Sequence, residues 1–145
     1  MRITEIHRDL DHVVKELIIK KKQIVAIFQG ESEIGPRALG NRSILFDPTN
    51  PHAKNIVNVI KKREHYRPFA GTILEEHASE YVDMKQLKSS PYMSFALKVT
   101  EKAYEDIPSI VHADGTCRIQ TVNREQNKNY YDLINLFYQE TGVPV

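Results

Sequence analysis

Residues 35–48 read GPRALGNRSILFDP, and residues 60–70 read IKKREHYRPFA. From Arg37 to Arg67 the sequence contains seven basic and two acidic residues, which gives this window a net charge of +5. The whole chain has 145 residues and a net charge of only +1. A nearly neutral protein has therefore gathered its cations in one region. Such a region suits a multiply charged anion, because fixed donors in a partly dry site hold phosphate better than water-exposed charges do.

This window and its surroundings alternate between strand and helix patterns. Runs or alternations of apolar and β-branched residues between turn residues predict five strands, at Ile24–Phe28, Arg42–Phe46, Phe69–Leu74, Tyr92–Val99 and Cys117–Val122. Apolar residues at helical spacing predict helices over Ile6–Ile18 (with Thr4 as its cap), from Asn50-Pro51 to Ile60, over Glu75–Val82 and over Asn129–Glu140. We therefore expect the α/β (α+β) class, with the five strands in one twisted mixed sheet flanked by helices, in a single domain spanning 1–145.

The composition narrows the class of protein. Hydrophobic residues at 41% and charged residues at 27% are ordinary for a soluble globular protein. The one cysteine, Cys117, cannot form an internal disulfide, so an oxidising compartment is not indicated. Apolar runs such as Ile24–Phe28 are too short to span a membrane, and the acidic Glu5 and Asp9 argue against a signal peptide. We expect a cytoplasmic protein.

Arg37 and Arg42 are the first candidate ligands. They lie five residues apart on a frame of glycine and proline, and that spacing allows two guanidinium groups to hold one phosphate by bidentate hydrogen bonds. The alternative is that both arginines pair with Glu31, Glu33 or Asp47 in a structural network. The residues alone leave these two interpretations open.

The basic run at 61–67 contains two further candidates, Lys61 and Arg67. Pro68 favours an extended conformation for Arg67 at the entrance of a predicted strand, which would aim its guanidinium by the backbone. Lys62 and Arg63 are interpreted as cations at a helix end, where the helix dipole favours positive charge whatever the function.

The third candidate region surrounds the Asp114-Gly115 turn. His112 and Asp114 are too few for a metal site, and Asp114 is typical of a turn residue. Cys117 has no nearby base that would make it a nucleophile. No metal-ligating set of residues is predicted, and Arg118 is the residue of this region that suits an anion.

Five motifs, taken in order, resemble the C-terminal region of the O-carbamoyltransferases, a family that includes nodulation-factor and antibiotic-tailoring enzymes. The motifs are GPRALGNRSILFDP, IKKREHYRPFA, SPYM, HADGTCRIQTV and TGVPV. The resemblance runs from about Gly30 to Val145.

The resemblance implies a YrdC-like domain that uses carbamoyl phosphate and ATP, with Mg²⁺ accompanying the ATP, to make carbamoyl adenylate. It also implies an N-terminal domain of the actin and hexokinase type that moves the carbamoyl group to an acceptor hydroxyl. By motif, Lys61 and Arg67 would be catalytic, and the substrate- or nucleotide-binding residues would be Arg37, Arg42, Arg118, Asn41, Gly35 and His112.

The chain departs from the family pattern at both ends. Residues 1–22 are predicted to be a leading helix where the family has its N-terminal domain, and the sequence stops at Val145 where the family continues. We therefore expect a fragment whose own activity is partial or absent. Two other classes stay open from the sequence, an RNA- or nucleotide-binding module without catalysis and a structural or regulatory fragment without a ligand. The low net charge argues against nucleic acid as a partner.

Overall fold

The computed structural model describes residues 9–145, which form five helices and five strands joined by long loops. The helices are α1 (His12–Lys20), α2 (Ala53–Ile60), α3 (Ala78–Tyr81), α4 (Glu101–Asp106) and α5 (Lys128–Thr141). The strands are β1 (Val25–Ala26), β2 (Ile44–Leu45), β3 (Gly71–Leu74), β4 (Ala96–Lys98) and β5 (Thr116–Val122), and 3₁₀ turns occupy Glu75–His77 and Pro108–Ile110. The predicted mixed α/β class is confirmed.

The five strands form two sheets, so the prediction of one continuous sheet is wrong. β1 and β2 make an antiparallel pair with Val25 opposite Leu45. The other three strands lie in the order β3-β5-β4, with β3 parallel and β4 antiparallel to β5. Residues of both β2 and β3 instead line one cavity. The pattern of apolar residues identified the strands but carried no information about which edges pair.

One hydrophobic core joins the larger sheet to α1 and α5. Helix α5 buries Tyr130, Leu133, Ile134 and Phe137 against it, and α1 buries Val13, Val14, Leu17 and Ile18. Burial of a large aliphatic or aromatic side chain stabilises the fold by about 1.5–3 kcal/mol, so these two helices are fixed mainly by their apolar faces. Helix α1 has π-type geometry, with the N–H of Lys21 donating to the carbonyl of Glu16 five residues earlier.

The helix ends follow local sequence signals only in part. Asn127 caps α5 by accepting a hydrogen bond from the N–H of Tyr130 at 3.1 Å, and Gly142 ends it with a φ of 78°. Helix α4 was not predicted, because its sequence EKAYED shows no apolar stripe. Thr4 and Ile6, which begin the predicted first helix, lie outside the described residues. Within 9–145, no helix is long and apolar enough to cross a membrane.

Candidate anion-binding site

A cavity of about 370 Å³ lies between the two sheets and α5. Its walls come from the loop before β2, β2 itself, the loop after α2, the start of β3 and one residue of β5. Buried side chains of α5, including Leu133, Ile134 and Phe137, contribute to its apolar lining. This volume is in the range of small-molecule sites, which span about 300–1,000 Å³.

Among residues 9–145, the charged side chains that line this cavity are all positive. The structure places five described cations there and no described acidic residue; the five are Arg37, Arg42, Lys61, Arg63 and Arg118. They come from three separate stretches of the chain, so the fold brings together charges that are distant in sequence. Like charges that line one cavity repel one another, and a bound anion would relieve that repulsion.

Arg42 is fixed by its surroundings. Its Nη1 donates to the backbone carbonyl of Gln29 and, at 2.9 Å, to that of Asn41. Its guanidinium also lies over the ring of Phe28, with 3.9 Å from Cζ to the ring centroid. Both hydrogen-bond acceptors are neutral carbonyls, so the positive charge of Arg42 stays unneutralised.

The side chains of Arg37, Lys61 and Arg118 have no hydrogen-bond or ion-pair partner among residues 9–145. Arg37 and Lys61 are exposed, whereas Arg118 is half-buried on β5. The structural network considered from the sequence is absent in this part of the chain. Glu33 instead accepts backbone N–H groups of Leu39 and Asn41, at 2.8 and 3.0 Å.

Arg63 lines the cavity although the sequence suggested only a helix-end cation. Helix α2 ends at Ile60, and Lys62 takes a left-handed φ of 50°, which turns the chain so that Arg63 leaves the helix surface. Its guanidinium lies 4.3 Å from the ring centroid of Phe69. Burial, followed by the nearby charge of Arg67, lowers the pKa of Arg63. The sequence analysis missed Arg63 because it attributed the charge to the helix dipole. That argument takes no account of a change in chain direction after the helix.

Arg67 does not line the cavity, unlike the other four cations predicted to converge there. Its Nε donates to Oε2 of Glu64 at 2.6 Å, and both side chains are about half exposed. Pro68 does place Arg67 before β3, but the side chain turns back to the carboxylate three residues earlier. The expectation of convergence therefore holds for Arg37, Arg42, Lys61 and Arg118 and is wrong for Arg67.

Gly35, Asn41 and His112 are not among the lining residues. Asn41 donates to the carbonyl of Glu31 at 3.1 Å and accepts from Asn127 at 2.9 Å. The ring of His112 lies 3.2 Å from both Thr116 Oγ1 and the carbonyl oxygen of Phe69. Asn41 and His112 thus stabilise loops next to the site in this structure.

A chain of side-chain hydrogen bonds connects helix α5 to the loop that carries Arg37 and Arg42. Tyr130 donates to Thr72, Thr72 donates to Gln120, and Gln120 donates to the carbonyl of Leu39, each at 3.0 Å. Burial raises the pKa of Tyr130 to about 12, so it stays a donor at neutral pH. At Gly40, φ is +113° and a Cβ would lie 2.2 Å from the Tyr130 ring, so this close approach requires glycine.

The described residues offer neither an activated thiol nor a metal-ligating cluster. Cys117 is fully buried, and burial raises the pKa of its thiol to about 12, which keeps it protonated and unreactive. Asp114 accepts from the N–H and hydroxyl of Thr116, so it acts as the predicted turn residue. Residues 9–145 contain no group of three His, Cys, Asp or Glu side chains able to hold a metal ion. The cavity therefore does not fit Mg²⁺ held by protein oxygen ligands.

The sequence was compared with known families and proteins. Residues 16–145 match the family described as Carbamoyltransferase C-terminus. The chain is 47% identical over 124 residues to nodulation protein NolO of Bradyrhizobium diazoefficiens, and 45% identical over 124 residues to nodulation protein NolNO of Sinorhizobium fredii. Each match covers 84% of this chain but only 23% and 18% of those two proteins. An uncharacterized protein of Methanocaldococcus jannaschii, MJ1058, is 40% identical over 88% of this chain and 21% of its own length.

Proposed function

Since the chain belongs to the carbamoyltransferase C-terminal family, we propose that its cationic cavity binds carbamoyl phosphate and ATP and supports formation of carbamoyl adenylate. The carbamoyl group would then pass to the hydroxyl group of an acceptor, in a step that a further domain of the parent protein would carry out. The shared region covers only 23% and 18% of the two nodulation proteins, so transfer itself is proposed for the parent enzyme, with a partner domain of the actin and hexokinase type.

One observation carries the proposal: five cations line a 370 Å³ cavity, and no acidic side chain lines it in the part of the chain that the structure describes. Surface cations usually pair with a carboxylate or project singly into water. Here the side chain of Arg118 is half-buried with no partner among residues 9–145, and Arg42 and Arg63 are held by neutral groups. The arrangement is therefore matched to a ligand that brings several negative charges.

The chemistry of adenylation explains why such a ligand would need cations. Water releases carbamate and inorganic phosphate from carbamoyl phosphate. A carbamate oxygen then attacks the α-phosphorus of ATP, the bond to the β-phosphate breaks, and pyrophosphate leaves. An anion thus attacks a polyanion, and charge repulsion is the main obstacle. Fixed cations that position both reactants lower that barrier without a protein nucleophile. We expect Mg²⁺ to arrive on the phosphates of ATP and not on protein ligands.

Within this proposal the cavity cations fall into two groups, which contact different parts of the substrates. Arg42 and Arg63, already fixed by hydrogen bonds and aromatic rings, suit the non-reacting phosphate oxygens. Arg118, Arg37 and Lys61 are free of protein partners in the described chain and suit the charge that changes during reaction. Arg67 lies outside the cavity and contributes positive potential through its position near Arg63.

The test is calorimetric titration of the full 145-residue chain with carbamoyl phosphate and, separately, with ATP and Mg²⁺. We expect saturable binding of both, weakened by inorganic phosphate. Acetate and acetamide are the matched controls, since they lack the phosphate. No heat with either phosphorylated ligand would overturn the proposal.

If the chain is instead an RNA-binding module, calorimetric titration with oligonucleotides gives a distinct result. Its affinity would fall steeply with salt and rise with the length of an oligonucleotide, because counterion release scales with the number of phosphates contacted. A closed site for one small ligand predicts affinity for carbamoyl phosphate that does not depend on polymer length. Tight binding of long RNA with no binding of carbamoyl phosphate would replace the proposed function.

A further inference from the structure

Asn58 is a fully buried polar residue next to the cationic segment 61–67. It lies on α2, three residues before Lys61, with a relative exposure of 0%. A buried amide that lacks partners is costly, because its donors and acceptor lose their hydrogen bonds to water. The partners of Asn58 therefore indicate why it is there.

Every hydrogen bond of this side chain goes to the segment that lines or adjoins the cavity. Nδ2 donates to the backbone carbonyls of His65 and Arg67, at 3.2 and 3.0 Å. Oδ1 accepts from Nε of Arg63 at 2.5 Å. The backbone carbonyl of Asn58 also accepts from the N–H of Arg63 at 3.1 Å. One residue thus ties the helix to three alternate residues of the segment.

We propose that Asn58 is a positioning residue for the anion site and acts through Arg63. This inference rests on the proposed function. Asn58 holds one edge of the Arg63 guanidinium, and Phe69 covers its face at 4.3 Å. An arginine fixed in this way loses little further freedom when an anion binds, so more of the interaction energy appears as affinity.

The identity of the residue follows from what it must do. Only an amide side chain can donate twice to carbonyls and accept once from Arg63. A carboxylate would satisfy Arg63 but would repel the carbonyls of His65 and Arg67. It would also neutralise the positive charge of Arg63, which has no carboxylate partner among residues 9–145. A neutral acceptor orients the guanidinium and leaves its charge available to a ligand.

The test compares Asn58→Ala with Ser90→Ala. Ser90 is also buried, at 2% exposure, and its hydroxyl donates to the carbonyl of Ile119 at 3.2 Å, but it does not line the cavity. Both variants lose stability, measured by thermal unfolding. At a temperature where both are folded, calorimetry is expected to show about tenfold weaker carbamoyl phosphate binding for Asn58→Ala and unchanged binding for Ser90→Ala.

Asn58→Asp keeps the volume of the side chain and is measured as well, so the comparison survives if Asn58→Ala does not fold. We expect it also to bind carbamoyl phosphate about tenfold more weakly, because its carboxylate neutralises Arg63. In an Arg63→Ala background, Asn58→Ala is expected to cause no further loss of affinity, since it acts through that arginine.

The outcomes separate the two proposals. Wild-type affinity in both Asn58 variants, or additive losses in the double variant, would overturn the positioning role and leave the proposed function intact. A wild-type chain that binds no phosphorylated ligand would overturn both.

Discussion

The cavity and the helices α1, α4 and α5 all carry basic side chains, but only those of the helices are paired with carboxylates. On these helices each described lysine has an acidic partner: Lys102 with Glu80, Lys128 with Asp132, Lys15 with Asp11 and Glu140, and Lys20 with Glu16. Arg124, just before α5, also pairs with Asp132. Around the cavity the basic groups contact carbonyls, an amide, aromatic rings or no described residue.

The difference shows which charges point to a ligand. Exposed ion pairs contribute about 0–1 kcal/mol each, so they serve mainly to keep a charged surface balanced. Unpaired cations held near one another reduce stability by mutual repulsion. Positive charge alone is therefore a weak sign of a site, and positive charge without an acidic partner is a much stronger one.

The largest effect is expected from Gly40→Ala, a substitution in the loop between Arg37 and Arg42 that packs against Tyr130. The new Cβ would lie 2.2 Å from the Tyr130 ring at a φ that disfavours side chains. We expect the free energy of unfolding to fall by about 2–4 kcal/mol, measured by denaturant titration. Gly35→Ala is the control, since its φ is +127° but nothing lies within 4 Å of the Cβ position. It should cost about 1 kcal/mol. Equal losses would show that the ring contact contributes nothing.

Arg118→Ala tests the unpaired cation on β5. Loss of a charge-assisted hydrogen bond to phosphate is expected to weaken carbamoyl phosphate binding about 30-fold, by calorimetry. Lys102→Ala removes a cation from the paired surface and should leave affinity unchanged. If the two variants bind alike, the contrast between paired and unpaired charges has no functional meaning.

Arg67→Ala distinguishes the position of Arg67 outside the cavity from the catalytic role that the resemblance implied. Its guanidinium pairs with Glu64 outside the cavity, so we expect carbamoyl phosphate affinity to fall no more than about threefold, through weaker positive potential. A catalytic role for Arg67, as the resemblance implies, predicts that Arg67→Ala slows pyrophosphate release from ATP at least as much as Arg118→Ala does. Affinity and pyrophosphate release from ATP, measured on the same variants, decide between these expectations.

The smallest effect concerns pH on the paired surface. The hydrogen bond from Lys128, followed by the charge of Arg124, lowers the pKa of Asp132 below its usual value. A carboxyl group whose folded pKa is depressed adds stability above its unfolded pKa, and this is lost as pH falls through the folded pKa. Asp132→Asn should therefore reduce stability at pH 6 by less than about 1 kcal/mol. That difference should shrink when unfolding is followed down to about pH 2. A difference that does not change with pH would contradict the ion-pair explanation.

The sequence predicted the elements of this protein better than their assembly. Apolar periodicity located α5 and all five strands, because these signals are local. It could not predict that β2 and β3 stand apart around a cavity, since strand pairing depends on long-range contacts. Arg63 and Arg67 show the same limit within one segment. Both carry a guanidinium, and only the turn at Lys62 and the hydrogen bonds of Asn58 decide which of the two lines the cavity.

Arginine side-chain NMR of the full chain tests the central claim most directly. The Nε–H signals of Arg63, Arg118 and Arg124 can be followed in one titration with carbamoyl phosphate. We predict that the signals of Arg63 and Arg118 shift with a common saturation curve. Arg124, whose Nε lies 3.2 Å from Asp132, should not move. Equal shifts of all three signals, or none at saturating ligand, would contradict the assignment of the cavity as the anion site.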